Sequence, residues 1–75
     1  MYSRRTCGLC DAARSVIEVE RARTGFSFLE TFVDGADELE REYGLRVPVV
    51  VVDGVEQFEY EVDPARLRRL VEGRL

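Results

Sequence analysis

Apolar positions along the chain follow two different spacings, and the switches between them outline its elements. From Asp11 to Arg23, Ala13, Val16, Ile17 and Glu20 fall on one side at i, i+3, i+4 intervals, with Ala12, Val19 and Ala22 flanking them. That spacing predicts a helix. Arg14, Glu18 and Arg21 give it a solvated stripe of opposite charges within reach of each other, and Thr24-Gly25 supplies a stop. Phe26 to Val33 is aromatic and β-branched, with Phe26, Phe28 and Phe32 on one face, and reads as a strand. Asp34 is suited to cap a second helix, with Asp37 and Glu38 beside its positive end. That helix runs to about Tyr43 and stops at Gly44.

Val47 to Val52 is an apolar run of buried-strand length. Asp53-Gly54 is the strongest hairpin signal in the chain, and Val55 to Tyr60 is the returning strand. Asp63-Pro64 pairs a cap with proline at the first helical position. Leu67, Leu70, Val71 and Leu75 then form the apolar face of a last helix. Met1-Tyr2-Ser3 reads as the end of a strand, and Arg4 to Thr6 as a loop. The order is β-α-β-α-β-β-α. A right-handed β-α-β crossover sets two strands parallel, and the hairpin adds two antiparallel ones. The fold expected is an α/β domain with one mixed four-stranded sheet flanked by helices.

The chain of 75 residues allows one domain. A domain this small hides only about 60 % of the surface of its unfolded chain, so its core is thin. A net charge of −4 excludes nucleic acid as the main partner, because phosphate neutralisation needs a basic surface. No apolar run approaches the roughly 20 residues that span a bilayer, and the N-terminal residues do not form a signal peptide. A cytoplasmic setting follows as the expectation. There, two cysteines point to catalysis or metal binding more than to a structural bridge. All basic residues are Arg, a bias typical of GC-rich bacterial genomes, and there is no His. Imidazole is thereby removed as base, nucleophile or metal ligand.

The candidate chemistry lies in Thr6-Cys7-Gly8-Leu9-Cys10-Asp11, where a strand meets a helix. A cysteine opening a helix sits beside unpaired backbone N–H groups and the positive end of the dipole. In such motifs the thiol pKa falls from about 8.5 to roughly 3.5–7.5. Arg4 and Arg5 are placed to add positive charge. Cys7 is then the nucleophile and Cys10 the resolving thiol. Gly8 lets the turn close tightly, and Leu9 is expected to be partly exposed. Asp11 reads either as a helix first-turn acid or as a proton acceptor for Cys10. A zinc site normally takes four Cys or His ligands. This chain offers two, so metal binding would need carboxylates or a second subunit.

These residues resemble the glutaredoxins of the thioredoxin superfamily, and the short bacterial glutaredoxin-like proteins in particular. The segments that carry the resemblance are Tyr2 to Asp11, Arg46-Val47-Pro48 and Val62-Asp63. The resemblance implies a thioredoxin-like fold and thiol–disulfide oxidoreductase activity. It implies no bound cofactor, with glutathione or another low-molecular-weight thiol as co-substrate. It also implies that Arg4 meets a glutathione carboxylate and that Pro48 is the family's cis-proline, opposite the cysteines. Val47 would offer backbone hydrogen bonds to the peptide part of glutathione, and Asp63 would cap the last helix and meet the γ-glutamyl end. The partners expected are disulfide-bearing proteins or small thiols and a thioredoxin-type reductase, acting on a monomer.

The sequence also departs from the family. Tyr60-Glu61-Val62-Asp63 stands where a Gly-Gly pair is usual, Gly-Leu lies between the cysteines in place of Pro-Tyr, and Arg46 replaces Thr. Only Met1 precedes Tyr2, so either the central first strand is very short or the true start lies upstream. Two other functions stand beside the oxidoreductase. One is a binding module that keeps the fold without turnover. The other is an iron–sulfur or zinc carrier using Cys7 from two subunits.

Overall fold

A computed structural model describes residues 1–73 of the chain. Its elements are β1 (Tyr2–Ser3), α1 (Gly8–Thr24), β2 (Thr31–Phe32), α2 (Asp37–Tyr43), β3 (Val49–Val52), β4 (Val55–Glu59) and α3 (Pro64–Glu72). They form one four-stranded sheet in the order β2-β1-β3-β4. β1 runs parallel to β2 and antiparallel to β3, and β3 is antiparallel to β4. The order of elements and the mixed sheet follow the sequence reading, and the architecture is thioredoxin-like. Among the described residues no helix is long and apolar enough to cross a membrane. Leu75, read above as part of the α3 face, lies outside the described residues.

The helices end where local chemistry dictates. Cys7 is the N-cap of α1, so that helix starts at Gly8, three residues before the periodic apolar pattern begins. Gly25 closes it with a left-handed φ of 75° and donates its N–H to the Arg21 carbonyl. Asp63 caps α3 through its carboxylate, which accepts from the Ala65 N–H, with Pro64 at the first helical position. At the hairpin both Asp53 (φ 52°) and Gly54 (φ 83°) are left-handed, as a two-residue turn with both central φ values positive requires.

Three expectations are corrected. The run Phe26 to Val33 forms ladder pairs only at Thr31–Phe32. Its partner β1 has only two residues, so the aromatic stretch before it has almost no strand to pair with. Phe26 and Phe28 pack against the core all the same. Asp34 does not cap α2. Its carboxylate accepts from the Arg5 N–H at 3.1 Å, and the helix starts at Asp37 behind Ala36, which makes no side-chain cap. A turn through Gly35, with φ 77°, takes up the intervening residues, and Glu40 reaches back to the Gly35 N–H at 2.8 Å. Finally, the ladder of β3 begins at Val49, after Pro48, which has no N–H to give it.

The larger core cluster joins Ala13 and Ile17 of α1 to Leu67 and Val71 of α3, over Val50, Phe58 and Val62. A carboxylate belongs to the same helix face. Glu20 is 2 % exposed. Both of its oxygens accept from Arg68, at 2.9 and 3.0 Å, which ties α1 to α3. A charge placed there must be paired, and the Arg68 guanidinium does so and holds the Glu20 carboxyl below the usual carboxylate range. The smaller cluster, Cys10, Val33 and Val47, lies against Leu39 and Tyr43 of α2.

Two tests follow from this packing. Ile17→Ala should cost about 2–5 kcal/mol, because it empties a fully buried site. The guanidinium unfolding midpoint reads that loss, and a change within error would contradict the packing. Glu30, bonded first to Arg14, is likewise held below its ordinary value of 4.5. A depressed folded pKa stabilises above the unfolded value and loses that contribution as pH falls through the folded one. Thermal stability should therefore drop as the pH is lowered below 4.5. Glu30→Gln should lower the Tm at neutral pH and flatten that acid slope.

Candidate functional site

The approach to the cysteines is short and pinned at both sides. β1 is flanked by β2 and β3, so the chain leaves the middle of the sheet at Ser3 and reaches Cys7 through only three residues. Ser3 is fully buried and donates its hydroxyl to Glu30 at 2.6 Å. Arg14, one turn beyond Cys10, clamps the same carboxylate through two nitrogens at 2.7 and 2.6 Å. The first strand, the segment before β2 and α1 are thereby fixed to one another.

Cys7 and Cys10 are joined as a disulfide, with Cα atoms 5.2 Å apart. The two sulfurs occupy different surroundings. Cys10 is 0 % exposed, beneath Val33 and Val47, while Cys7 is half-buried at the helix start. The Cys7 Sγ accepts the backbone N–H of Cys10 at 3.1 Å. Cys7 thereby stands at the positive end of a 17-residue helix. Backbone dipoles in this orientation favour negative charge.

The guanidinium groups of the two arginines expected to assist lie against neutral partners. Arg4 donates its Nε to the Gly44 carbonyl at 3.0 Å, and the Arg5 guanidinium lies 4.7 Å above the Phe32 ring. Asp11 lies in the first turn of α1, its carboxylate bonded to Arg14 at 2.8 Å. Among the described residues no group of three or more Cys, His, Asp or Glu is arranged to hold a metal ion.

Val47 packs in the cluster that covers Cys10, so the structure brings it to the pair. Pro48 follows it through a cis peptide bond, as the resemblance implied, and is fully buried. Its carbonyl accepts from the Tyr60 N–H at 2.9 Å, which ties the loop after β4 to this side of the sheet. Asp63, the N-cap of α3, shares an open groove with Leu9, the residue before Cys10.

The model of the glutaredoxin-like domain family (DUF836) matches residues 1–72. The chain belongs to this family. Uncharacterized proteins of Mycobacterium bovis and Mycobacterium tuberculosis are 33 % identical over 73 residues, covering 91 % of this chain and 75 % of theirs. The crystal structure of the structural-genomics target XcR50 from X. campestris superposes with a TM-score of 0.78 at 35 % identity, covering 96 % of this chain and 92 % of that one. The solution structure of the same target gives 0.76 at 34 % identity.

One feature of this glutaredoxin-like site escapes the sequence reading. The rings of Tyr2 and Tyr43 stack at 4.0 Å, 7° from parallel, against the cluster that holds Cys10. Burial raises the Tyr43 hydroxyl above its ordinary pKa, and Tyr2 beside it adds to the shift. The signal available was an aromatic residue directly before the helix-stopping Gly44, a position that points into the fold when the helix packs on the sheet.

In the reduced protein, the Cys7 thiol should ionise below the ordinary value of about 8.5. A pH titration of ultraviolet thiolate absorbance reads this, and Cys10→Ser isolates the Cys7 signal. Ionisation at or above the ordinary value would contradict stabilisation by the helix end.

Proposed function

We propose that this chain is a thiol–disulfide oxidoreductase in which Cys7 attacks and Cys10 resolves. The observation that carries the proposal is the asymmetry of the pair. One sulfur is accessible and takes a backbone N–H, while its partner is fully buried below it. A nucleophile must reach substrate as a thiolate, whereas a resolving thiol needs only to reach the first sulfur.

The cycle balances as follows. The Cys7 thiolate attacks one sulfur of a substrate disulfide and forms a Cys7–substrate bond. The other substrate sulfur departs as a thiolate and takes a proton. Cys10 loses its proton and attacks the Cys7 sulfur. The Cys7–Cys10 disulfide forms, and the second substrate sulfur leaves as a thiol. Two electrons have passed from the protein to the substrate. Glutathione or another low-molecular-weight thiol, or the dithiol of a thioredoxin-type reductase, returns them. Such regeneration belongs in a reducing compartment, the cytoplasm.

Substrate contact in this reading falls to Arg4, Val47, Pro48 and Asp63. Arg4 makes no ion pair among the described residues and bonds only a neutral carbonyl, so its charge is available to an anion. Val47 precedes the paired part of β3 and stands beside Cys10, where its backbone can meet an extended peptide as an added strand would.

Cys7→Ser should abolish reduction of a small disulfide such as hydroxyethyl disulfide. Cys10→Ser should retain the first step and accumulate a mixed disulfide, visible by mass spectrometry. Equal residual activity in the two variants would overturn the assigned roles. A folded wild-type sample that turns over no disulfide, with dithiothreitol or with glutathione, would leave a binding module in place of an enzyme.

A further inference from the structure

We propose that the groove opening at Leu9 recognises a basic polypeptide segment, and that the preferred substrate is a disulfide flanked by cationic and apolar side chains. This rests on the thiol–disulfide reading above and adds the class of substrate.

The groove lies between α1 and the stretch from the end of β4 to the start of α3, and its open volume is about 680 Å³. Its walls are apolar: Val16 on one side, Phe58 and Val62 on the other. Leu9 is 49 % exposed and Tyr60 45 %, both large side chains left uncovered. Tyr60 is held in place. Its N–H bonds the Pro48 carbonyl, its hydroxyl bonds the Leu45 carbonyl at 3.3 Å, and its φ of 70° turns the chain there. The apolar floor is therefore a fixed surface. It begins at Leu9, the residue before Cys10, and so adjoins the helix turn that carries the redox pair.

The rim sets the charge. Glu59, Glu61 and Asp63 all line the groove. Glu59 shares Arg46 with Glu56. Among the described residues Glu61 makes no ion pair, and the Asp63 carboxylate bonds only the Ala65 N–H. The single lining cation, Arg66, lies 4.9 Å over the Phe58 ring with its nitrogens on the Gln57 carbonyl and amide oxygen. Its geometry is fixed by groups other than a ligand. The local balance is negative, in line with a net charge of −4 for the whole chain.

Like charges facing one another across a contact disfavour the wrong partner, and opposite ones accelerate encounter. Glutathione disulfide brings additional carboxylates to this rim. A peptide with Arg or Lys beside its disulfide brings the complement, and an apolar residue next to it covers Leu9 and Phe58. In the exchange step itself, the Cys7 thiolate bonds one peptide sulfur while the other leaves and is protonated, as in the cycle above.

The test uses the full chain, reduced, against two short synthetic peptide disulfides that differ only in Arg or Glu flanking a Cys-Leu pair. Glutathione disulfide and the uncharged hydroxyethyl disulfide run alongside. At low ionic strength the Arg peptide should react at least tenfold faster than the Glu peptide, as steering of this kind allows. The ratio should shrink in high salt, and Glu61→Arg should narrow it further. Equal rates, or a faster Glu peptide or glutathione disulfide, would overturn this inference while hydroxyethyl disulfide turnover keeps the exchange reading intact. Turnover of no disulfide at all would overturn the exchange reading instead. The groove is then judged by calorimetric titration of Cys→Ser versions of both peptides into the oxidised protein. Tighter binding of the Arg version supports it, and equal or weaker binding overturns it.

Discussion

A single carboxylate fixes the front of this molecule. Glu30 sits just before β2 and receives the buried Ser3 hydroxyl and two nitrogens of Arg14. β1 contributes only two residues to the sheet, and two strand residues cannot orient a helix by backbone pairing alone. The Glu30 network supplies the missing constraint. It joins the strand that delivers the chain to Cys7 with the helix that carries Cys10, and so sets where the two sulfurs stand relative to the sheet. Charge-assisted hydrogen bonds to a bidentate guanidinium are among the stronger polar contacts available. A thin core makes such contacts count for more.

The same logic recurs at Glu20. A carboxylate on the apolar side of α1 is an oddity of pattern until Arg68 of α3 is seen to bind both its oxygens. The two helices of the larger core thus share a polar tie. α1 is bound to the sheet through Arg14 and to α3 through Glu20. The site inherits this rigidity, because Cys7 caps, and Cys10 lies in the first turn of, the helix held at both points.

Much of this was legible in the sequence, for identifiable reasons. The helical spacing of Ala13, Ile17 and Glu20, the Asp53-Gly54 turn and the Asp63-Pro64 cap are local signals, and each meant what its local physics requires. The Cys7–Cys10 pair at a helix start was equally local. Misreadings came where the outcome depended on something distant. The run Phe26 to Val33 has the composition of a strand, but ladder length is decided by the partner strand, which is short. Asp34 is a good capping residue, but the Arg5 amide and the turn at Gly35 claim that segment first. The Tyr2–Tyr43 stack joins residues 41 positions apart in sequence, and no periodicity reports such a pairing.

The absence of lysine has a consequence for how this frame behaves in alkali. Every side-chain cation in the ties described above is a guanidinium, which keeps its proton throughout the range a protein survives. Arg14 and Arg46 are held more basic still by the carboxylates they clamp. Thiol exchange quickens as the solution becomes more basic, since thiolates multiply. In a lysine-bearing protein the ammonium partners would begin to neutralise over the upper part of that interval. Here the conditions that favour the chemistry leave the scaffold beneath it fully charged.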